Sequence, residues 1–418
     1  MQFVGVIDGN NFFVSCERLF RPDLARVPVV VLSSNDGCIV ARSSEIKDMG
    51  VPMGVPYFQV KDILKKVNAR AFSSHFALYR DISARVFSEV RAQFQVMEQY
   101  SIDEAFFMFE ATSVAEAVTA MRDIKQLLEK RVGIPVSIGL AATKTQAKYA
   151  NRLAKKAGGV VVLAPEDWEA KTATTPLSDI WGVGGRLSAR YRSTGMTTVA
   201  DVLGCPKQRL STLFGVSGVR LQAELSGQVQ FPVNMQTSTQ KSIMSSRSFK
   251  KTTDSLAVLK DAVSYHVRHA AADLRRYGLI ARTLSVSIGT SRHGDYLLRG
   301  GTLTVELGSA TADTLVLLGE ALRLAEQLYE PGVPYKKAGI MLGQFAPETT
   351  VQPSLFLDQG TEATTGTLMK TIDTLNLKFG QDMVRVGQHT KAAAWSPSRA
   401  DLSPAYTTNW TMLPTVQT

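Results

Sequence analysis

Cysteine is scarce in this chain and poorly spaced for structural work. The 418 residues hold only Cys16, Cys38 and Cys205, with no Cys-x-x-Cys pair. That argues against a disulfide framework or a structural zinc centre and fits a reducing compartment. Long apolar runs are also missing: no stretch of about 18 apolar residues occurs, so no segment is expected to span a membrane. The N-terminus has no basic start and its apolar run breaks at Asp8, so it does not read as a secretory signal. The expected location is the cytoplasm. Five histidines are present, and no Ser/His/Asp or Cys/His arrangement stands out. Chemistry here should rest on electrostatics and positioning, with water or substrate as general base. Acids are the minority. Against 47 Lys and Arg stand 37 Asp and Glu, a net charge of +10, which points to a polyanionic partner, nucleic acid before membrane surface.

What is present is ordinary for a globular protein, 44% hydrophobic and 20% charged, with room for two to four domains. The stretch of most chemical interest is Ser101-Ile102-Asp103-Glu104-Ala105. Val96–Tyr100 and Phe106–Phe109 flank it and suit strands, so it reads as a β-hairpin with carboxylates near its apex. Like charges ~4 Å apart repel by about 4 kcal/mol at an effective dielectric near 20. Asp8 follows another apolar strand, Phe3–Ile7. Three carboxylates with no local basic neighbour suggest a cation site, although an Asp-Glu pair by itself also fits a solvated turn. Mg²⁺ takes oxygen ligands, and paired ions serve in-line phosphoryl displacement. Asp8 and Asp103 would bridge two Mg²⁺ ions, Glu104 completing one site and the Gly9 carbonyl the other. Neighbours 103 and 104 face opposite ways on a regular strand, so this requires a bend.

Along the chain, helices are expected at 10–19, near Gly50, at 77–94, 114–132 and 144–156, with strands at 28–32, 38–41, 136–140 and 160–163. With 10–79 as an excursion, the order is β-α-β-β-α-β, the split-βαβ arrangement. From Pro165 to about Met235 the pattern is short helices and Gly-rich turns, followed by a polar linker. The βαββαβ order then returns: strands at 243–249, 283–288, 302–307 and 338–342, with helices from an Asp254 cap to Gly278 and over 315–329. A C-terminal helix is expected to align Leu368, Ile372, Leu375 and Phe379. Between Lys241 and Gly300 lie eleven Lys and Arg against four Asp, a net of 11 − 4 = +7, which reads as a phosphate-backbone surface. His266, His269 and His293 fall there and are expected to face solvent or DNA. Ile180–Gly185 is an apolar-Gly hairpin whose Gly182, Gly184 and Gly185 would let backbone N–H groups approach a phosphate. Trp395 and Trp410 read equally as partner anchors or as parts of a packed tail.

Asp8-x-x-x-Phe12-Phe13 with Ser-Ile-Asp103-Glu104 downstream resembles the Y-family translesion DNA polymerases. Ser33–Cys38, Tyr100–Ala105, Asp179–Gly182 and Ser403–Thr408 look most like the UmuC branch of that family. The resemblance implies an α+β right-hand polymerase: a βαββαβ palm at 1–12 and 80–165, small fingers at 13–79, a helical thumb with a helix-hairpin-helix at 166–235, a linker at 236–245, a βαββαβ little finger at 246–345 and a partner-binding tail at 346–418. It implies addition of dNTPs to a primer 3′-OH opposite damaged template during the bacterial SOS response, with primer-template DNA, a cleaved UmuD-type dimer, RecA and the sliding clamp as partners. Asp8, Asp103 and Glu104 match the metal-binding carboxylates, and Phe13, read otherwise as an aromatic near a bound sugar, matches the steric gate against a ribose 2′-OH. Lys155 matches a triphosphate-contacting lysine. Lys47 and Ser44 stand where many relatives carry a triphosphate-contacting arginine and tyrosine, and lysine lacks the bidentate fork of arginine. Gln352-Pro353-Ser354-Leu355-Phe356 resembles a clamp-docking motif, with Gln352, Leu355 and Phe356 as its contacts. A palm-type nucleotide cyclase and a non-catalytic DNA-binding scaffold are the alternatives. The basic second half and the Gly hairpin count against the first, and the three acids against the second.

Overall fold

In a computed structural model, residues 1–235, 240–291, 298–350, 359–380, 382–387, 395–396 and 399–413 are described. The chain divides into two compact units, Met1–Thr237 with Ala400–Thr418, and Ser238–Arg399.

The first unit is built on a five-stranded sheet. Its strands are β1 (Gln2–Gly9), β5 (Met97–Gln99), β6 (Glu104–Glu110), β7 (Val136–Ala141) and β8 (Val160–Val162), in the order β5-β6-β1-β7-β8. Central β1 is buried from Phe3 onward, as its near-continuous apolar run requires. One sheet face packs on α1 (Phe12–Leu19), α4 (Phe76–Gln93) and α5 (Val114–Arg131) through Phe3, Ile7, Ile82, Phe107 and Met121. The long excursion after α1 forms its own sheet, β3-β2-β4, from β2 (Val29–Leu32), β3 (Ile39–Arg42) and β4 (Arg70–Ser73). Helices α2 (Ser44–Asp48) and α3 (Tyr57–Lys66) cover it, burying Val30, Leu32, Ile46 and Leu64.

Helix α6 (Lys144–Ala154) lies close against the central sheet. A Cβ on Gly139 of β7 would stand 2.1 Å from the Asn151 nitrogen, so only glycine permits this approach. The N-terminus of α6 is held by Glu224, whose carboxylate accepts from the Thr145 N–H at 3.1 Å and from Gln230 and Phe231 N–H at 2.6 and 3.1 Å. Glu224 is fully buried near the end of α10 (Lys207–Leu225), which follows the short helices α7 (Pro165–Thr172), α8 (Gly185–Ser193) and α9 (Val199–Leu203).

The second unit repeats the βαββαβ plan with longer strands than the sequence suggested. β9 (Ser242–Thr253), β10 (Leu279–Thr290), β11 (Gly300–Thr311) and β12 (Tyr335–Pro347) form a sheet ordered β11-β10-β12-β9, with α11 (Leu256–Arg276) and α12 (Thr314–Leu328) on one face. The pairing register sorts the residues cleanly. Ile243, Leu342, Leu284 and Val305 share the helix-covered face, whereas Met244, Met341, Ser285 and Thr304 share the other. The strands run past their expected limits at both ends: Lys250–Thr253 and Gly308–Thr311 give no apolar alternation to read, while Ile280, Ala281 and Tyr335 extend the sheet with buried residues.

Several expectations change here. The polar stretch taken for linker already belongs to β9 from Ser242 onward. Ser255, not Asp254, stands at the start of α11, without a side-chain cap. His266 is buried at 1% exposure and hydrogen-bonds Ser245 Oγ at 2.7 Å. Burial and the nearby Arg247 and His269 push its pKa down to about 3. It shares the inner helical face with Val263 and Ala270, which composition alone concealed. His269 faces Asp382 at 3.3 Å; His293 lies outside the described residues. The basic surplus is largely neutralised: Lys260, Arg268, Arg275, Arg276, Arg282 and Arg299 pair with Glu326, Asp382, Asp373, Asp273, Glu306 and Glu330. Lys241, Lys250 and Lys251 are exposed.

On α13 (Gln359–Phe379) Met369 is buried and Ile372, Asp373 and Leu375 are half-buried, while Leu368 and Phe379 are exposed, so the expected face is packed at Ile372 and Leu375 alone. Arg275 holds Asp373 bidentately at 2.7 and 2.8 Å on the packed side of this helix. Trp395 is buried and donates to Asp261 at 2.9 Å, whereas Trp410 is 89% exposed. Among the described residues, no helix is long and apolar enough to cross a membrane.

Candidate active site

β1 runs antiparallel to β6 so that Asp8 stands opposite Glu104, and the Gly9 N–H donates to the Asp103 carbonyl at 2.9 Å. The acidic stretch is the expected hairpin. Tyr100 and Ser101 N–H both donate to the Glu104 carbonyl, closing the turn. Asp103 falls in that turn, one residue before β6 begins, so the alternation of a regular strand does not apply to it. Its carboxylate accepts from Ser101 Oγ at 2.6 Å. Asp8 and Glu104 are thus brought together, while Asp103 is turned into its own loop.

Two ammonium groups meet the acid pair. Lys155 Nζ lies 2.8 Å from Asp8 Oδ2, and Lys148 Nζ lies 2.5 Å from Glu104 Oε1. Both lysines come from α6 or its C-terminal cap, seven residues apart and therefore on one helical face. Burial, then the hydrogen bond with Glu104, raises the Asp8 carboxyl to about 7 against the pull of Lys155. Burial would raise Glu104 too, but hydrogen bonds from Asp8 and Lys148 outweigh it and hold that carboxyl below its usual range. The two carboxyls are thus driven in opposite directions, and Lys155 and Lys148 supply counter-charge to the pair. Lys148 was missed in the sequence; it also lies over the Tyr100 and Phe106 rings at 5.4 and 5.8 Å. Its seven-residue spacing from Lys155 was the available signal.

Beyond Asp8, Asn11 adopts left-handed backbone at φ 48° and does not cap α1 with its side chain. Its amide instead reaches across to α2, donating to Ser44 Oγ at 3.4 Å and accepting from Lys47 Nζ. Asn11 also escaped notice, because asparagine before a helix reads as an ordinary cap. The Lys47 side chain reaches the surface, yet partial burial and the Lys155 and Arg42 charges lower its pKa. Lys47 and Lys155 therefore share one electrostatic field beside Asp8, an arrangement that favours a polyanion between them. Phe13 is half-buried and stacks on Tyr79, with centroids 4.5 Å apart at 14°. Its neighbour Phe12 is core.

The Gly hairpin lies in the same unit. Gly182 has φ +86°, Gly184 stands at the N-cap of α8, and Gly185 begins that helix. A Cβ on any of the three would meet nothing within 4 Å, so the backbone there is open. Trp181 packs against Tyr100, Phe106 and Phe231 with centroids 5.7, 5.7 and 6.3 Å away, fastening this hairpin to the acidic one. Gln352, Leu355 and Phe356 lie outside the described residues.

Among the described residues, no group of three His, Cys, Asp or Glu side chains is arranged to hold a metal ion. Asp8 and Glu104 nevertheless fit a hard cation: both are carboxylates, and each has drawn an ammonium to itself. Asp103 can join them only by giving up Ser101.

Sequence comparison bears on this geometry. Residues 7–152 match the impB/mucB/samB family and 240–355 its C-terminal domain. Protein UmuC of Salmonella typhimurium is 34% identical over 413 residues, covering 97% of this chain and 98% of its own. The chain belongs to the UmuC branch of the Y family. Protein MucB of Escherichia coli is likewise 34% identical, over 98% of both chains. A DNA polymerase IV of Corynebacterium diphtheriae is 27% identical over 80% of this chain and 74% of its own. In fold, this Y-family member is similar to a solved Dbh-Dpo4-Dbh Y-family polymerase chimera, with a TM-score of 0.68 over 82% of this chain and 98% of that one at 19% identity. It is a DNA-directed DNA polymerase of the error-prone translesion class, acting on DNA in the SOS response. Its nucleotidyl transfer is of a kind that normally uses divalent metals. Residues 366–416 of this Y-family polymerase match a domain of unknown function, DUF4113.

Proposed function

We propose that polymerisation occurs at the Asp8–Glu104 pair, with Asp103 swinging in from its turn and two Mg²⁺ ions as cofactors. The observation that carries this reading is the opposition of Asp8 and Glu104 with one ammonium on each. Held by Asp8, Glu104 and Asp103, Mg²⁺ would supply positive charge against the triphosphate and would favour ionisation of the primer 3′-hydroxyl. The remaining work belongs to the chain. Lys155, released from Asp8, and Lys47, steadied by Asn11, grip the triphosphate; Ser44 lies beside them. Phe13 faces the sugar. The primer 3′-oxygen forms a bond to the α-phosphorus, the bond to the β-phosphate oxygen breaks, pyrophosphate leaves, and the 3′-hydroxyl proton passes to water.

In this reading residues 1–12 and 80–165 are the palm, 13–79 the fingers, 166–235 the thumb, the stretch from 236 up to β9 a linker, the sheet that begins at Ser242 and its helices, through 345, the little finger and 346–418 a partner-binding tail. Gly182, Gly184 and Gly185 present backbone N–H groups to a DNA phosphate. The face of the second sheet that bears Met244, Met341, Ser285 and Thr304 lies along the backbone without reading sequence. A cleaved UmuD-type dimer, RecA and the sliding clamp are the proposed partners, the clamp through Gln352, Leu355 and Phe356, within the bacterial cytoplasm.

Primer extension tests the site. Asp103→Ala should slow single-nucleotide addition by about a hundredfold or more, the scale for losing one electrostatic partner of a transition state, with DNA affinity retained. Undiminished extension would remove Asp103 from the site.

A further inference from the structure

Residues 400–406 form a strap within the first unit, far in sequence from the residues they contact. Ser73 N–H donates to the Asp401 carbonyl at 2.9 Å, and Asp401 N–H returns a bond to Ser73 Oγ at 3.1 Å. Leu402 bridges Ser73 in parallel, at the end of β4. Ala400 N–H donates to Asp36 Oδ2 at 3.0 Å, and the Tyr406 ring lies flat on Phe20, 4.6 Å away at 8°. The strap is therefore anchored at both ends, with Ser403 between.

Ser403 is the strap residue that reaches inward. Its hydroxyl donates to Glu17 Oε1 at 3.2 Å and lies 3.0 Å from His75 Nδ1. The same Glu17 oxygen accepts from the Tyr79 hydroxyl at 2.7 Å. Glu17 and Tyr79 are fully buried, Ser403 and His75 nearly so. Tyr79 in turn offers its ring face to Phe13, and Phe76 closes the edge of Phe13 at 5.7 Å and 82°. A buried carboxylate is an expensive way to fill space, and Glu17 Oε2 has no hydrogen-bond partner among the described residues. Its cost is intelligible if its other oxygen does directed work. That oxygen joins the strap to the ring under Phe13.

We propose that Ser403 and Glu17 are positioning residues for sugar selection: the strap fixes Glu17, Glu17 fixes the Tyr79 hydroxyl, and the Tyr79 ring sets the plane in which Phe13 meets the nucleotide. This rests on Phe13 being the sugar-facing aromatic. It gives a function to the 400–406 part of the region that matches a domain of unknown function. Because Phe13 lies at 14° to Tyr79, a loosened Tyr79 tilts the platform without removing it, so discrimination weakens while the aromatic itself remains.

The test compares kcat/KM for a dNTP and the matching rNTP in full-length wild type, Ser403→Ala, Phe13→Ala and the double variant. Ser403→Ala should lower the discrimination ratio about fivefold, the worth of one neutral hydrogen bond, and Ser403→Thr should restore it. In the Phe13→Ala background, Ser403→Ala should have no further effect on the ratio, because its influence passes through Phe13. Tyr79→Phe, which keeps the ring and removes the hydroxyl, should reproduce Ser403→Ala and decides the matter if the alanine variant does not fold. If Phe13→Ala leaves the ratio unchanged, the sugar-facing reading of Phe13 falls. If Phe13→Ala lowers the ratio while Ser403→Ala or Tyr79→Phe does not, or if the effects add in the double variant, the relay alone is overturned.

Discussion

Glu17 is a buried acid whose ionisation the fold opposes. Burial raises its carboxyl to about 7, and the hydrogen bonds from Tyr79 and Ser403 offset this only in part. Between the ordinary carboxylate range and pH 7 the folded chain keeps this proton and the unfolded chain has lost it. Glu17 therefore contributes full stability at low pH and loses it as pH rises toward 7, a change of about 3 kcal/mol. Glu17→Gln carries no such proton. Denaturant melts should show that its stability relative to wild type improves from pH 5 to pH 8; parallel curves would refute the assignment. Asp8 has the same sign and is common to both proteins, so the comparison isolates Glu17. At this scale the site was only partly legible. Asp8, Asp103 and Glu104 stood out because acids at strand ends have no local reason to be there. The partners of Asp8 and Glu104 come from elsewhere in sequence, Lys155 and Lys148 from α6 and its cap, and Asn11, at a position that looks like a cap, bonds Ser44 and Lys47 instead. The turning of Asp103 toward Ser101 depends on a rotamer, which residue type does not encode.

The elements that carry these side chains were legible where periodicity was strong and blurred where it was not. Helices α4 and α5 and strands β1 and β7 fall within a residue or two of their expected limits. The second sheet runs past its expected limits because ends such as Lys250–Thr253 and Gly308–Thr311 carry no apolar alternation, and His266 lies inside because the inner stripe of α11 admits a polar residue bonded to Ser245. Nothing in the sequence announced how close α6 comes to β7. That spacing rests on Gly139, and it sets where Lys148 and Lys155 reach the carboxylates. Gly139→Ala forces backbone apart, since the added carbon would lie within 2.7 Å of three backbone atoms of α6. It should cost about 1–3 kcal/mol of stability, the range for overpacking, and should depress primer extension beyond the loss of folded protein. Circular-dichroism melts and active-site-normalised rates separate the two effects. Normal rates in the surviving folded fraction would show that α6 need not lie so close.

For the whole molecule, net charge gave the right partner for an incomplete reason. The +7 of residues 241–300 is mostly consumed in ion pairs within the second unit, leaving Lys241, Lys250 and Lys251 exposed around β9. Exposed lysines are what counterion release measures. Lys250→Ala with Lys251→Ala should weaken DNA binding and flatten the plot of log affinity against log salt by about two units; an unaltered slope would place the contact elsewhere. Topology was read twice correctly as βαββαβ, because each half carries its own alternation of strand and helix. The return of residues 400–406 to the first unit could not be read, since no local pattern records a contact 386 residues away. That return orders events at the ribosome. Synthesis runs at about 5–20 residues per second, so the N-terminal body waits roughly 20–80 s between making Glu17 and receiving Ser403. Until then its carboxylate pair can form but the socket around Glu17 and His75 lacks its last strand. A chain released early, by a premature stop or a protease cut before Ala400, would carry the acids of a polymerase with that socket open. Full-length translation is thus built into the finished N-terminal body.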